Sequence, residues 1–242
     1  DIDYLFLPVG GGGLAAGVSS VFKLLSPQTK IVGVEPAGAP STSASFKRGN
    51  NTEVEIKDKF IDGASVAQMG TLNFDLCYRK LFDVKAVEEG LVCKTMLELY
   101  NENAMVVEPA GALSLSVLEY YKQEIKGKNV VCLISGGNND IMRMEEIKER
   151  ALLFQGLKHY LVLRFPQRPG ALKEFVSEVL GPDDDIVHFE YTRKHNRENG
   201  PALVGVELKS DTDWDALKSR LKEKSYKFEY LNEKEDLFQF IT

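Results

Sequence analysis

The first 150 residues alternate between short apolar runs and longer amphipathic stretches. The apolar runs are nearly continuous, as in parallel strands that are buried on both faces of a sheet. They cover residues 4–9, 31–35 and 130–134. Stretches with helical periodicity cover residues 14–25, 66–82, 91–101 and 110–122. Strands separated by helices predict an α/β fold in which helices flank a parallel sheet.

The pattern changes after a charged helical stretch at residues 143–150. Strand-like runs then cover residues 159–165, 186–192, 202–209 and 226–231, and helical stretches cover residues 169–180 and 212–224. The order βαββαβ predicts a ferredoxin-like α+β unit with helices on one face of an antiparallel sheet. We therefore expect a first domain at residues 1–150, a linker at 151–158 and a second domain at 159–242.

Composition narrows the class of protein. The chain has 242 residues, of which 43% are hydrophobic, so it can bury two cores. Its formal charge of −6 argues against nucleic-acid binding, and no apolar run is long enough for a membrane span. Its three cysteines show no pairing or zinc-ligand spacing, which predicts a cytoplasmic protein or one of an organelle matrix.

Four consecutive glycines follow the first predicted strand and precede the first predicted helix. Without Cβ atoms, this loop can turn sharply and aim several N–H groups at one anion, and the helix N-terminus adds to the attraction. Gly10, Gly12 and Ala15 also match the spacing of a dinucleotide-binding fold, and Glu35 ends the next strand where a ribose hydroxyl would bind. The loop thus predicts a phosphate compound and leaves both kinds of cofactor open.

Ser135 favours pyridoxal phosphate over a dinucleotide as the bound compound. It lies at the carboxyl end of the strand at residues 130–134 and is followed by Gly136 and Gly137. Parallel α/β sheets bind ligands at this edge. A hydroxyl that hydrogen-bonds to the pyridine nitrogen of pyridoxal phosphate leaves the ring largely neutral, which favours loss of a β-substituent, whereas a dinucleotide enzyme has no particular need for it.

At this point the sequence resembles the fold-type II pyridoxal-phosphate enzymes of the serine/threonine dehydratase group. Five motifs carry the resemblance in order: Pro8-Val9-Gly10-Gly11-Gly12-Gly13-Leu14, Val34-Glu35-Pro36, Asp62-Gly63, Glu108-Pro109-Ala110-Gly111-Ala112 and Ser135-Gly136-Gly137-Asn138. The second domain is similar to the ACT-like regulatory domain of biosynthetic threonine deaminases, through Phe165-Pro166-Gln167-Arg168-Pro169-Gly170-Ala171-Leu172. The resemblance implies conversion of L-threonine to 2-oxobutanoate and ammonia on the way to isoleucine. It also implies feedback by isoleucine or valine and a homo-oligomer, a dimer or tetramer.

The resemblance also implies roles for individual residues. The cofactor phosphate would be held by Gly10, Gly11, Gly12, Gly13 and Leu14, while Gly63 would pass close to the cofactor plane and Ser135 would face the pyridine nitrogen. An amino-acid effector would meet Gln167, Arg168, Gly170, Ala171 and Leu172. Relatives that racemise serine bind a cation beside the positions of Glu35, Ala39 and Ser41, but Ser41 replaces their aspartate, so we expect no metal here.

The family's cofactor lysine, which forms the Schiff base, precedes the glycine loop in a Ser-Phe-Lys-x-Arg-Gly segment. Lys47 lies in a similar segment that follows the loop and lacks one residue, so we expect it to be an exposed lysine at a helix end. We therefore expect no catalytic residue in this chain, a lysine upstream of Asp1, and no turnover by the 242 residues alone. A serine dehydratase or serine racemase, a dinucleotide oxidoreductase and a non-catalytic amino-acid sensor remain as alternatives.

Overall fold

The computed structural model describes residues 1–191 and 198–234. The chain forms two compact units, Asp1–Ala151 and Leu152–Thr242. In the described ranges, no helix combines the length and the apolar character that crossing a bilayer requires.

The first unit contains a four-stranded parallel sheet flanked by helices, which confirms the predicted α/β fold. Its strands are β1 (Tyr4–Pro8), β2 (Lys30–Pro36), β3 (Asp83–Val87) and β4 (Val130–Cys132). Its helices are α1 (Gly13–Leu25), α2 (Ser41–Arg48), α3 (Thr71–Lys80), α4 (Glu89–Asn103), α5 (Pro109–Ser116), α6 (Leu118–Tyr121) and α7 (Met144–Phe154). The strand order is β3-β2-β1-β4, so β1 is central and its carboxyl end lies between those of β2 and β4.

Strand β1 is buried on both faces because its side chains alternate between two cores. Tyr4 and Phe6 pack in the cluster that includes α4 and α5, whereas Leu5 and Leu7 pack in the cluster that includes α1 and α3. A continuous apolar run is therefore the correct sequence for this position. Full burial of such side chains stabilises the fold by about 1.5–3 kcal/mol each, which holds the strand end firmly beneath the glycine loop.

Four elements of this unit differ from the sequence prediction. Helix α3 begins at Thr71 rather than at residue 66, since Gly70 is extended and serves as its N-cap. The sequence predicted only a helix end at Lys47 and not the extent of α2, whose sequence is rich in Ser and Thr. Strand β3 was not predicted, because it is a half-exposed edge strand with polar residues in it. The predicted helix at residues 110–122 divides at Val117 into α5 and α6.

The second unit has the predicted βαββαβ order. Its elements are β5 (Lys158–Pro166), α8 (Ala171–Glu178), β6 (Asp185–Tyr191), β7 (Asn199–Glu207), α9 (Asp213–Glu223) and β8 (Phe228–Tyr230). All neighbouring strands are antiparallel, in the order β6-β7-β5-β8. This confirms the ferredoxin-like α+β unit; position 192, the predicted end of β6, lies outside the described residues.

His159 is buried in the core of the second unit. Its ring stacks on Trp214 with a centroid distance of 4.0 Å, its Nδ1 lies 3.0 Å from the Tyr230 hydroxyl, and its Nε2 lies 2.8 Å from the Gly156 carbonyl oxygen. Burial lowers the pKa of His159, and Lys218 lowers it further. The neutral imidazole satisfies both neighbours because it can donate to the carbonyl and accept from the tyrosine.

Helix α7 ends in a Schellman cap. Gly156 has a φ of 66°, and its N–H donates to the Leu153 carbonyl at 3.1 Å. The N–H of Leu157 donates to the Leu152 carbonyl at 2.9 Å. These two bonds are the defining pair of this motif. The segment expected as a linker, residues 151–158, therefore contains the last turn of α7, its cap and the first residue of β5.

Candidate functional site

The glycine loop, residues 10–13, connects the carboxyl end of β1 to the N-terminus of α1. Gly12 has a φ of 84°, a conformation that glycine adopts without strain and L-residues rarely do. Within residues 1–191 and 198–234, the N–H groups of Gly11, Gly12, Gly13 and Leu14 have no intramolecular acceptor. Four free donors at a helix N-terminus with no acidic residue in its first turn form a site for an anion.

The segment that contains Gly63 lies directly against this loop. A Cβ atom on Gly10 would stand 3.0 Å from the Ala64 Cα and 3.2 Å from the Gly63 carbonyl oxygen. A Cβ atom on Gly63 would in turn stand 3.2 Å from the Cβ of Ala110, at the start of α5. The chain is thus packed closely at both places, which favours glycine at positions 10 and 63.

Ser135 lies at the same edge of the sheet. Strand β4 pairs with β1, and the Leu133 N–H donates to the Phe6 carbonyl at 3.1 Å, so the loop after β4 leaves the sheet beside the glycine loop. Ser135 itself is exposed. The next residue, Gly136, lies against α5, because a Cβ atom on Gly111 would stand 2.5 Å from the Gly136 carbonyl oxygen. The structure therefore brings the glycine loop, Gly63 and Ser135 together at one sheet edge.

Glu108 is a member of this site to which sequence analysis assigned no role. Its N–H donates to the Gly136 carbonyl at 3.2 Å, and its side-chain Cδ lies 2.6 Å from where a Cβ atom on Gly136 would stand. The carboxylate is therefore packed against the backbone next to Ser135. Its place before Pro109, in one of the five motifs, was visible in the sequence, but only the fold shows that it faces the Ser135 loop.

Two arginines hold the segment before Gly63. The guanidinium groups of Arg143 and Arg150 each lie 4.6 Å from the ring centroid of Phe60, which is 4% exposed. Arg143 also donates to the Phe60 carbonyl at 2.7 Å, and Arg150 forms an ion pair with Asp58 at 2.6 Å. Cation–π contacts of such partly exposed arginines are worth about 0.5–2 kcal/mol each, so together with the hydrogen bond and the ion pair they hold this segment in position.

Glu35 does not have the role that a dinucleotide site requires. Its carboxylate is 1% exposed and accepts hydrogen bonds from the Thr42 N–H at 2.8 Å and the Ser43 N–H at 2.7 Å. Burial raises the pKa of Glu35, and the two hydrogen bonds oppose that shift. The residue thus caps the N-terminus of α2 inside the fold and cannot reach a ribose hydroxyl, which corrects this part of the dinucleotide alternative.

The other residues that sequence analysis considered have no role in the site formed by the glycine loop, Gly63 and Ser135. Lys47 is exposed in the last turn of α2. Cys132 is partly buried, and burial raises the pKa of its thiol to about 11, so it is protonated at neutral pH. Ala39 is buried, and Ser41 begins α2, whose N-terminus the Glu35 carboxylate caps. Over residues 1–191 and 198–234, no cluster of three His, Cys, Asp or Glu side chains could hold a metal ion.

The predicted effector residues surround the start of α8. Gly170 is its N-cap with a φ of 83°, and Ala171 and Leu172 form its first turn. Arg168 is paired with Glu174, whereas the buried Nε2 atom of Gln167 has no hydrogen-bond partner among the described residues. A buried amide without a partner is unusual and is commonly satisfied by a ligand or a water molecule.

Comparisons with known proteins agree with this arrangement. Residues 1–136 match a family model described as pyridoxal-phosphate dependent enzyme, and residues 149–241 match one described as the C-terminal regulatory domain of threonine dehydratase. Proteins called L-threonine dehydratase biosynthetic IlvA are 52% identical over 241 residues in Halalkalibacterium halodurans and 53% identical over 245 residues in Bacillus subtilis. Both matches include 100% of this chain and 58% of the relative.

Solved structures show the same likeness. The processed form of threonine deaminase isoform 2 from Solanum lycopersicum has a TM-score of 0.59 and 36% identity, over 62% of this chain and 45% of that one. Serine racemase from Dictyostelium discoideum has a TM-score of 0.54 and 30% identity, over 58% of this chain and 45% of that one. The chain spans a little over half the length of the two threonine dehydratases above, 58% of each.

The site at the carboxyl ends of β1 and β4 fits the cofactor of this family. The glycine loop presents unpaired N–H groups where a phosphate would bind, and the contacts of Gly10 and Gly63 leave little room for a Cβ atom. The exposed hydroxyl of Ser135 lies on the adjacent strand end. These observations and the match over residues 1–136 confirm the resemblance: the chain belongs to the family of pyridoxal-phosphate-dependent enzymes.

Proposed function

We propose that this chain is the cofactor-binding and regulatory part of a threonine dehydratase, which converts L-threonine to 2-oxobutanoate and ammonia. The observation that carries the proposal is the continuous match, over the whole chain, to proteins named as biosynthetic threonine dehydratases. The regulatory-domain match at residues 149–241 supports control by branched-chain amino acids. The free cysteines and the bacterial biosynthetic relatives support a cytoplasmic location, and the family resemblance supports a homo-oligomer.

In this proposal the chain's own residues bind and orient the cofactor. The N–H groups of Gly11, Gly12, Gly13 and Leu14, with Gly10 shaping the turn, bind its phosphate at the positive end of α1. When bound, pyridoxal phosphate supplies an electron sink that makes the substrate α-proton acidic. The Ser135 hydroxyl would donate to the pyridine nitrogen without protonating it, because an alcohol is far too weak an acid.

The neighbouring backbone supports the proposed orientation. Gly63 would let the cofactor ring lie close to the backbone, since a side chain at this position would crowd Ala110. Close packing of Gly111 against Gly136 holds the Ser135 loop against α5. A rigid pair of anchors at the phosphate and at the pyridine nitrogen would set the angle of the ring relative to the substrate.

The effector would bind at the start of α8. Its carboxylate would meet the N–H group of Leu172 beside Ala171, whose own N–H donates to the Arg168 carbonyl at 3.3 Å, and Gly170 would allow close approach, as for anions at helix N-termini. The unpartnered Nε2 of Gln167 would supply a further donor. Arg168 would remain paired with Glu174 and shape the rim of the site.

The test uses the full-length gene product loaded with pyridoxal phosphate. We expect 2-oxobutanoate from L-threonine, and a change in rate when isoleucine or valine is added. The 242-residue chain alone should release none, because we expect the cofactor lysine to lie upstream of Asp1. A loaded full-length protein that forms no 2-oxobutanoate would rule out the proposed activity, and steady production by the short chain would rule out an upstream lysine.

Serine is the second candidate substrate. Serine racemases from Dictyostelium discoideum and maize align with this chain at 30% and 26% identity, with TM-scores of 0.54 and 0.55. The same assay with L-serine, following pyruvate and D-serine, separates the two. A kcat/KM for serine above that for threonine would favour this candidate.

A further inference from the structure

Two carbonyl groups of the glycine loop are held by hydrogen bonds. The Gly11 carbonyl accepts from the Asn73 side-chain Nδ2 at 2.7 Å and from the Gly70 N–H at 3.2 Å. The Gly12 carbonyl accepts from the Ala16 N–H at 2.9 Å. Asn73 is distant in sequence from the loop, so this is a tertiary contact that local loop geometry does not require.

Fixing a carbonyl also fixes the N–H group of the next residue. A trans peptide unit is planar, and its C=O and N–H bonds point in opposite directions. With the Gly11 oxygen directed at Asn73, the Gly12 N–H must point away from α3. In the same way the Gly12 carbonyl directs the Gly13 N–H. These are two of the N–H groups that have no acceptor in the described part of the chain.

The fit around Asn73 is close. A Cβ atom on Gly12 would stand 3.0 Å from the Asn73 Cβ, and one on Gly70 would stand 2.9 Å from its Nδ2. Asn73 is the third residue of α3, where polar side chains commonly cap their own helix. Here the helix has no side-chain cap, and the Asn73 amide donates to the glycine loop instead.

We propose that Asn73 is a positioning residue for the cofactor phosphate: by holding the Gly11 carbonyl, it keeps the Gly12 N–H directed at the phosphate. The proposal rests on the assignment of the glycine loop to that phosphate. Asn73 does not touch the cofactor. It removes the alternative peptide orientation, in which a carbonyl oxygen would face the anion and repel it.

The test is the affinity of the full-length apoprotein for pyridoxal phosphate, followed by the cofactor's visible absorbance. Asn73→Ala should weaken binding about fivefold, the value of one hydrogen bond that organises a charged ligand. Asn73→Asp keeps the shape, loses the donor and should weaken it at least as much. Asn101→Ala, the same change at an exposed helical position in α4, is the matched control and should bind like the wild type.

Two further measurements separate positioning from general damage. Pyridoxal, which has no phosphate, should bind the wild type and Asn73→Ala equally, and the ³¹P resonance of the bound cofactor should shift in the variant. Equal loss for both ligands, or wild-type affinity for pyridoxal phosphate in both Asn73 variants, would overturn the proposal. Failure of the wild type to form 2-oxobutanoate while it still binds the cofactor would overturn only the proposed substrate.

Discussion

Gly111→Ala should destabilise the first unit, although alanine is the better helix former. A Cβ atom at this position in α5 would stand 2.5 Å from the Gly136 carbonyl oxygen and 3.3 Å from the Gly136 nitrogen. Carbon–oxygen contacts normally begin at about 3.3 Å, so the backbone would have to separate by about 0.8 Å. Overpacking of this kind costs about 1–3 kcal/mol, whereas alanine gains about 0.8–1 kcal/mol from helix propensity. We expect a net loss of up to about 2 kcal/mol, centred near about 1 kcal/mol.

Gly17→Ala is the matched control, since Gly17 lies inside α1, is exposed and has no heavy atom within 4 Å of where a Cβ atom would stand. The same chemical change should stabilise there by about 0.5–1 kcal/mol. The two variants should therefore differ by about 2 kcal/mol, or about 4–8 °C in Tm. Circular dichroism during thermal and urea unfolding measures this difference. If Gly111→Ala were as stable as Gly17→Ala, the contact between α5 and the Ser135 loop would be softer than described.

Three further variants test other parts of the fold. Burial raises the pKa of Glu35, so the stability that comes from its protonated form is present below about pH 4.3 and is lost as pH rises through the folded-state pKa. Glu35→Gln should therefore destabilise the protein most at low pH and least at high pH. Phe60→Leu should lose about 1–3 kcal/mol in urea unfolding, because it removes the ring between two guanidinium groups. The wild type should lose stability as pH falls below about 6.5, because burial lowers the pKa of His159 and protonation then favours the unfolded chain. His159→Gln should remove this loss. Fluorescence of Trp214, the single tryptophan, follows that last transition.

Each of these variants has an outcome that contradicts its reasoning. A stability difference that grows with pH would mean that Glu35 is held as a favoured carboxylate. A Phe60→Leu protein with wild-type stability would show that the two arginine contacts are solvated and weak. An unchanged pH profile in His159→Gln would assign the acid transition to another group in the second unit.

Sequence alone was sufficient where the pattern is local and strong. The strand β1 is a continuous apolar run because both its faces are buried, and the glycine loop follows it directly, so its place at the sheet edge was predictable. The extent of helix α2 was missed because its N-terminus is capped by Glu35, a residue of β2. Its own Ser- and Thr-rich sequence has weak helix propensity, and only tertiary contact makes it helical.

The parts of the site that sequence analysis did not predict also depend on tertiary contacts. Asn73 meets Gly11 across 62 residues of sequence, and the contact of Glu108 with Gly136 depends on how α5 lies against the loop after β4. Neither residue belongs to a pattern that predicts its partner. Edge strand β3 was missed because half-exposed strands carry polar residues and lose the apolar signal on which strand prediction depends.

The Schellman cap that ends α7 has a thermodynamic consequence for the proposed regulation. A loose tether would retain conformational entropy, and ordering each of its residues during signalling would cost about 1–2 kcal/mol. Here Gly156 and Leu157 are already hydrogen-bonded to the end of the helix, and Leu157 also accepts from the N–H of Leu208 at 2.7 Å. That ordering is complete once the chain has folded, so the binding energy of the proposed effector would not be consumed in ordering these residues.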